Sequence, residues 1–187
     1  MATSNGQRAG IWVIAIVMTV GTLGAFFLPI LTNNEASKQA EDQQKALAEY
    51  QKQQVQAAKD HAASSKPLEG YAAEAFDAAS ITELKTEDLV VGDGAEVKAD
   101  STIEANYFGW TADGKIFDST NQNGTVTPAS FSLNGVIEGW TKGLTGAKVG
   151  SIRKLMIPTD MAYGASAADN GQPAGPLVFI VEVKSVK

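Results

Sequence analysis

Residues Ile11 to Leu31 run for 21 positions without a charged side chain, and no other feature of the chain restricts its folding as strongly. As a helix the run would extend about 31 Å, enough to cross a hydrocarbon core of roughly 30 Å. A core helix of a globular domain would show a polar face, and this segment shows none. A cleaved signal peptide is the rival reading. Against it, the apolar stretch is longer than a usual signal core, and the small residues Ser37 and Ala40 offer only a distant cleavage site. Residues 1–32 are therefore expected to be a short tail and an uncleaved transmembrane anchor. Arg8 and the α-amine flank the run on one side, and Lys38, Lys45 and Lys52 follow on the other. That count of basic residues opposes an inside N-terminus. A lone N-terminal segment nevertheless acts naturally as a signal anchor, so the rest of the chain is expected on the outer side of the membrane.

The remainder is acidic. Of 15 basic residues, Arg8 lies within the first 32, which leaves 14 against 21 acidic residues, a net charge of about −7. Nucleic acid is not an expected partner, because phosphate binding needs clustered positive charge. Cysteine is absent, which excludes disulfides, thiolate metal sites and a cysteine nucleophile. The one histidine, His61, lies in a polar run and is expected to be a solvated surface residue. Neither a metal nor a cofactor is expected.

Between residues 33 and 67 the chain turns to Ala, Gln, Lys and Glu, with no glycine and no proline before Pro67. These are helix formers, and Glu41 with Lys45 adds a favourable i,i+4 pair. Leu47, Tyr50 and Val55 do not sustain a heptad, so a solvated helical stalk is expected, holding the next domain clear of the bilayer. From 68 to 187 turn signals recur at Gly92-Asp93-Gly94, Asp113-Gly114, Asn123-Gly124, Asn134-Gly135 and Asn170-Gly171. Strand-like runs lie between them, at Ile81–Val91, Thr102–Trp110, Lys115–Asp118, Ser151–Ile157 and Leu177–Val186. One short helix is suggested around Gly139–Leu144. The pattern predicts an α+β domain, a twisted antiparallel sheet packed on one helix.

Within it stand Tyr107-Phe108-Gly109-Trp110, then Asp113 to Ser119 with Phe117-Asp118, then Phe131 to Trp140 with Val136-Ile137-Glu138-Gly139-Trp140, then Asp160-Met161-Ala162-Tyr163-Gly164, then Leu177-Val178-Phe179. In order and spacing these resemble the FKBP family of peptidyl-prolyl cis/trans isomerases, over roughly Leu84 to Lys187. The resemblance implies a half-barrel sheet wrapped on a helix, with a shallow apolar pocket for a proline ring. It implies Trp140 as the pocket floor and Tyr107, Phe117, Val136, Ile137 and Phe179 as walls. Asp118 and Tyr163 would be polar rim groups, and the Ile137 N–H would bind a substrate carbonyl. Phe131 would belong to the core.

Two positions depart from the family pattern. Ala129 stands where many members have a further pocket aromatic, and Gly171-Gln172 where many have isoleucine, both thinning the substrate side of the pocket. Glu138 adds negative charge beside Ile137. The expected partners are proline-containing polypeptides, the membrane through residues 11–31, and, by resemblance, a rapamycin-class macrolide. The expected function is rotation of X–Pro bonds to assist folding at the outer face of the membrane. The alternative is a chaperone or scaffold that holds polypeptides on the same fold with little turnover.

Overall fold

The computed structural model describes residues 35–187. The expected anchor, and with it the orientation, lies outside the described residues. Among the described residues no helix is long and apolar enough to cross a membrane.

The Ala/Gln/Glu/Lys-rich stretch forms one helix, α1 (Glu35–Ser64), 30 residues long. Residues 41–53 are exposed on every side, as expected of a stalk. Beyond them the helix changes character. Gln54, Val55, Ala58, His61 and Ala62 are partly buried and recur every three or four positions, so one face of the last turns lies against the following domain. The expectation of a wholly solvated stalk is corrected there. The docked stripe is made of small and polar side chains, which leave no hydrophobic pattern to read.

Nine strands follow: β1 (Ser65–Lys66), β2 (Lys85–Val90), β3 (Thr102–Trp110), β4 (Ile116–Ser119), β5 (Asn121–Gln122), β6 (Thr125–Val126), β7 (Ala129–Ser132), β8 (Ile152–Ile157) and β9 (Leu177–Val186). A seven-residue helix, α2 (Glu138–Leu144), sits between β7 and β8. The large sheet has the order β2-β8-β9-β3-β4, with β7 also pairing with β3. Its pairings are antiparallel. β1, β5 and β6 make a small second sheet that ties the end of α1 to the loop after β4.

Alternation along β3 divides the core in two. Ile103, Ala105 and Tyr107 join Trp140 and Leu144 of α2, with Phe179, Val181 and Val183 of β9, on the inner face. Phe108 and Trp110 join Val178 and Ile180 on the outer face, covered by Leu68, Tyr71, Phe76 and Ile81. The helix comes close to the inner face because it carries glycine there. A Cβ on Gly139 would lie 2.3 Å from Ile157 Cγ2. Ile81 covers the outer face rather than opening a strand, which is why the run expected from Ile81 pairs only from Lys85.

Candidate active site

Strict alternation would send Phe117 and Asp118 to opposite faces of β4. A register shift between Gly109 and Trp110 puts two residues of β4 against one of β3, since Gly109 pairs with Asp118 and Trp110 with Ile116. Such a bulge re-aims side chains. Both Phe117 and Asp118 consequently meet inner-face residues. Phe117 packs edge-on against Phe179, with ring centroids 5.5 Å apart. Asp118 accepts a 2.5 Å hydrogen bond on Oδ2 from the Tyr107 hydroxyl.

Around this pair the aromatics form a box of edge-to-face contacts. Tyr107 meets Trp140 at 5.1 Å and Phe131 at 5.4 Å. Trp140 meets Phe131 at 5.2 Å and Phe179 at 5.5 Å. Edge-to-face geometry places the positive ring edge against a negative ring face and stabilises each pair by about 0.5–1.5 kcal/mol. Gly109 makes room for it, since a Cβ there would lie 2.5 Å from Phe179 Cε1 and 2.8 Å from Phe117 Cζ. Val136, Ile137, Ala129, Met161 and Tyr163 pack on the same cluster and are partly buried. Ile137 is the N-cap of α2, and its carbonyl accepts from Trp140 and Thr141. Its own N–H has no place in the helical ladder.

The electrostatics follow from burial. Burial pushes the Tyr107 hydroxyl well above the ordinary tyrosine range, and the neighbouring Asp118 charge and hydrogen bond push it further. Tyr163 is raised by burial and then by the Asp118 charge. Both phenols therefore remain O–H groups beside the carboxylate. The Trp140 indole Nε1 is buried and has no hydrogen-bond partner in the protein. Among the described residues no cluster of histidines and carboxylates could hold a metal ion.

Residues 94–184 match the FKBP-type peptidyl-prolyl cis-trans isomerase domain. A probable FK506-binding protein of Corynebacterium glutamicum is 38% identical over 104 residues, and the match spans 55% of this chain and 86% of that protein. The chain belongs to the FKBP family. The isomerase FkpA of Escherichia coli is 38% identical over 136 residues, 73% of this chain and 50% of FkpA. The chain thus spans about half the length of the FkpA relatives it matches. A crystal structure of a peptidyl-prolyl cis-trans isomerase from Pseudomonas syringae superposes with a TM-score of 0.50 at 32% identity, covering 71% of this chain and 92% of that one.

Seen as an FKBP site, the structure brings together Tyr107, Phe117, Asp118, Trp140 and Phe179 by direct contact, with Val136, Ile137, Ala129 and Tyr163 around them. Phe131 is core, as expected, and also one side of the aromatic box. The Gln172 backbone N–H closes a turn on the Ala167 carbonyl. Asp118 is not a rim group. It is 3% exposed, because Tyr107 and a second donor enclose it.

That second donor is His61, and its expected solvated position is corrected. Its Nε2 lies 2.7 Å from Asp118 Oδ1, and its side chain is 14% exposed. The motifs that carry the resemblance begin near Leu84, beyond α1, and so offer no position for it. In the structure His61 follows Ala58 by three residues on the partly buried stripe, a placement that the sequence alone does not mark.

Proposed function

We propose that the chain is a peptidyl-prolyl cis/trans isomerase whose pocket is the aromatic box around Asp118. The observation that carries the reading is the conjunction of the Tyr107–Asp118 hydrogen bond with the edge-to-face ring set over Trp140. Rotation about an X–Pro bond must overcome the loss of amide resonance, roughly 18–20 kcal/mol in water. No bond is broken, so neither a nucleophile nor a metal is needed. A site accelerates the rotation by binding the twisted amide better than either planar form. Here Trp140 would floor the proline ring, with Phe117, Phe179, Val136 and Ile137 as walls and Tyr107 and Tyr163 as polar groups. The Ile137 N–H would hold the carbonyl that follows proline. A twisted amide keeps less charge separation than a planar one, so the apolar walls disfavour it less. Each 1.36 kcal/mol of such preference is worth about tenfold in rate.

The substrates under this reading are proline-containing segments of folding polypeptides, and a rapamycin-class macrolide would compete for the pocket. The charge-free run from Ile11 to Leu31 supports anchoring in a membrane, and read as a lone signal anchor it would put the isomerase outside. Resistance to carbonate extraction, with digestion of the domain by protease added to intact cells, is the expected behaviour. The activity itself is tested by adding the full chain to an Ala-Xaa-Pro-Phe peptide and following cis/trans relaxation. Acceleration suppressed by the macrolide is expected. A folded protein that binds unfolded chains but leaves the relaxation at its uncatalysed rate would be a holding chaperone instead.

A further inference from the structure

The family resemblance gives no role to α1, yet its one histidine is seated on the carboxylate at the centre of the pocket. Asp118 Oδ2 takes the Tyr107 hydroxyl, and Oδ1 faces His61 Nε2 at 2.7 Å. Gln122 Nε2 lies 3.3 Å from the same ring nitrogen. Its two hydrogens are committed elsewhere, to Ser65 Oγ at 3.0 Å and to the Ser119 carbonyl at 2.7 Å. With both hydrogens placed there, Gln122 leaves His61 Nε2 facing Asp118, and the arrangement fits a proton on that nitrogen donated to the carboxylate. An ionised carboxylate only accepts. Two donors on its two oxygens fix its plane.

This seat is held from several sides. Asn123 N–H donates to the Ser64 carbonyl at 2.9 Å, and the Ser64 hydroxyl bonds Gln122 Oε1. Ser119 Oγ donates to the Lys66 carbonyl at 2.7 Å, and Asn121 Nδ2 to the Pro67 carbonyl at 2.8 Å. The last turn of α1 is thus stitched to the segment that directly follows Asp118. At the other end of the docked stripe, Val55 rests on Gly171, where a Cβ would lie 3.2 Å from Val55 Cγ2. By the resemblance, Gly171-Gln172 stands where many members have isoleucine, and Val55 brings an apolar side chain to Gly171.

We propose that His61 is a positioning residue of the isomerase site: from the end of α1 it donates to Asp118 and, with Tyr107, fixes the orientation of the carboxylate toward the proline pocket. The proposal rests on the isomerase reading above. It makes the working site larger than the matched FKBP domain, because one of its groups comes from the helix before it.

The test uses the full chain and the same prolyl peptide. His61→Leu keeps bulk without a donor, and His61→Gln keeps an N–H near the place of Nε2. The Leu variant should lower kcat by roughly ten- to a hundredfold, the effect of one lost hydrogen bond to a charged group, with KM nearly unchanged. The Gln variant should recover most of the loss. In an Asp118→Ala background His61→Leu should cost nothing further, since its partner is gone. Lys59→Ala, on the exposed side of α1, is the control and should behave as the wild type. Should the Leu variant fail to fold, the wild type still decides. His61 is the one histidine of the sequence, so its imidazole gives a single NMR signal in the untagged chain. That signal should move when the prolyl peptide is added. A wild type that isomerises while His61→Leu keeps its full rate, or exceeds it, overturns the positioning role and leaves the isomerase reading intact; an excess would mean that α1 obstructs the pocket. An imidazole signal unmoved by saturating peptide overturns it as well. An inactive wild type, by contrast, removes the isomerase reading itself.

Discussion

Each face of the large sheet carries one tryptophan, and both are 2% exposed. On the outer face Trp110 stacks on Phe108 with centroids 5.1 Å apart, and its indole N–H donates to the Glu74 carbonyl at 2.9 Å. On the inner face Trp140 is surrounded edge-on by Tyr107, Phe131 and Phe179, and its N–H has no partner in the protein. Leaving a buried donor unpaired costs about 1–3 kcal/mol. The outer face is thus closed by its own chain, and its tryptophan is satisfied. The inner face holds a buried carboxylate, an unpaired donor and two rings laid over a glycine that leaves them room, the features of a surface shaped for something other than its own stability.

The largest effect should come from filling the space that Gly109 leaves. Gly109→Val would drive atoms into both Phe179 and Phe117. Overpacking of this kind costs about 1–3 kcal/mol, and the isomerase rate should fall far more than stability does. Phe108→Leu on the outer face should lower the melting temperature with the rate per folded molecule intact. Equal loss of rate in the two variants would break the contrast between the faces.

Next in size is Asp118→Ala. It strands the buried Tyr107 hydroxyl and should cost about 1–3 kcal/mol together with most of the activity. A matching removal is Asp88→Ala on β2, whose carboxylate pairs with the Arg153 guanidinium at 2.5 and 3.0 Å. Asp88 is over a third exposed, so its loss should cost at most about 1 kcal/mol and leave the rate unchanged. Chemical denaturation beside the rate assay separates the two terms.

The smallest effect is a titration. Tyr107 and Tyr163 are held above the ordinary tyrosine range, chiefly by burial. An unfolded chain releases these protons near pH 10 and the folded one does not, so their contribution is complete below about pH 10 and is lost as pH rises above it. Phenolate absorbance of the folded chain should therefore show two of its four tyrosines un-ionised past pH 10. Ionisation of all four before the fold melts would show an inner face open to water.

Much of this was legible in the sequence, for definite reasons. β3 and β9 read directly because their runs of β-branched and aromatic residues end in turn signals, and the strands occupy Thr102–Trp110 and Leu177–Val186 as expected. The resemblance placed Tyr107, Phe117, Trp140 and Phe179 in one cluster because their spacing is set by that sheet and by α2. What it could not supply was the β4 bulge, since a single extra residue leaves no mark in composition, yet it decides that Phe117 and Asp118 share a face. Nor could it seat α1. A stripe of Gln, Val, Ala and His has little hydrophobic period, and its docking depends on hydrogen bonds to Gln122 and Asp118 that lie more than 50 residues away. The position of His61 and the depth of Asp118 escape the sequence together for that one reason.

The most direct measurement of the difference between the faces is the isomerisation rate per folded molecule for Trp140→Leu beside Trp110→Leu. Both substitutions remove a buried indole, and each should cost about 2–4 kcal/mol as large-to-small changes in a core. If the pocket lies on the inner face, Trp140→Leu loses nearly all acceleration of the prolyl peptide while folded Trp110→Leu retains the wild-type rate. A folded Trp140→Leu that isomerises as fast as Trp110→Leu would contradict the account.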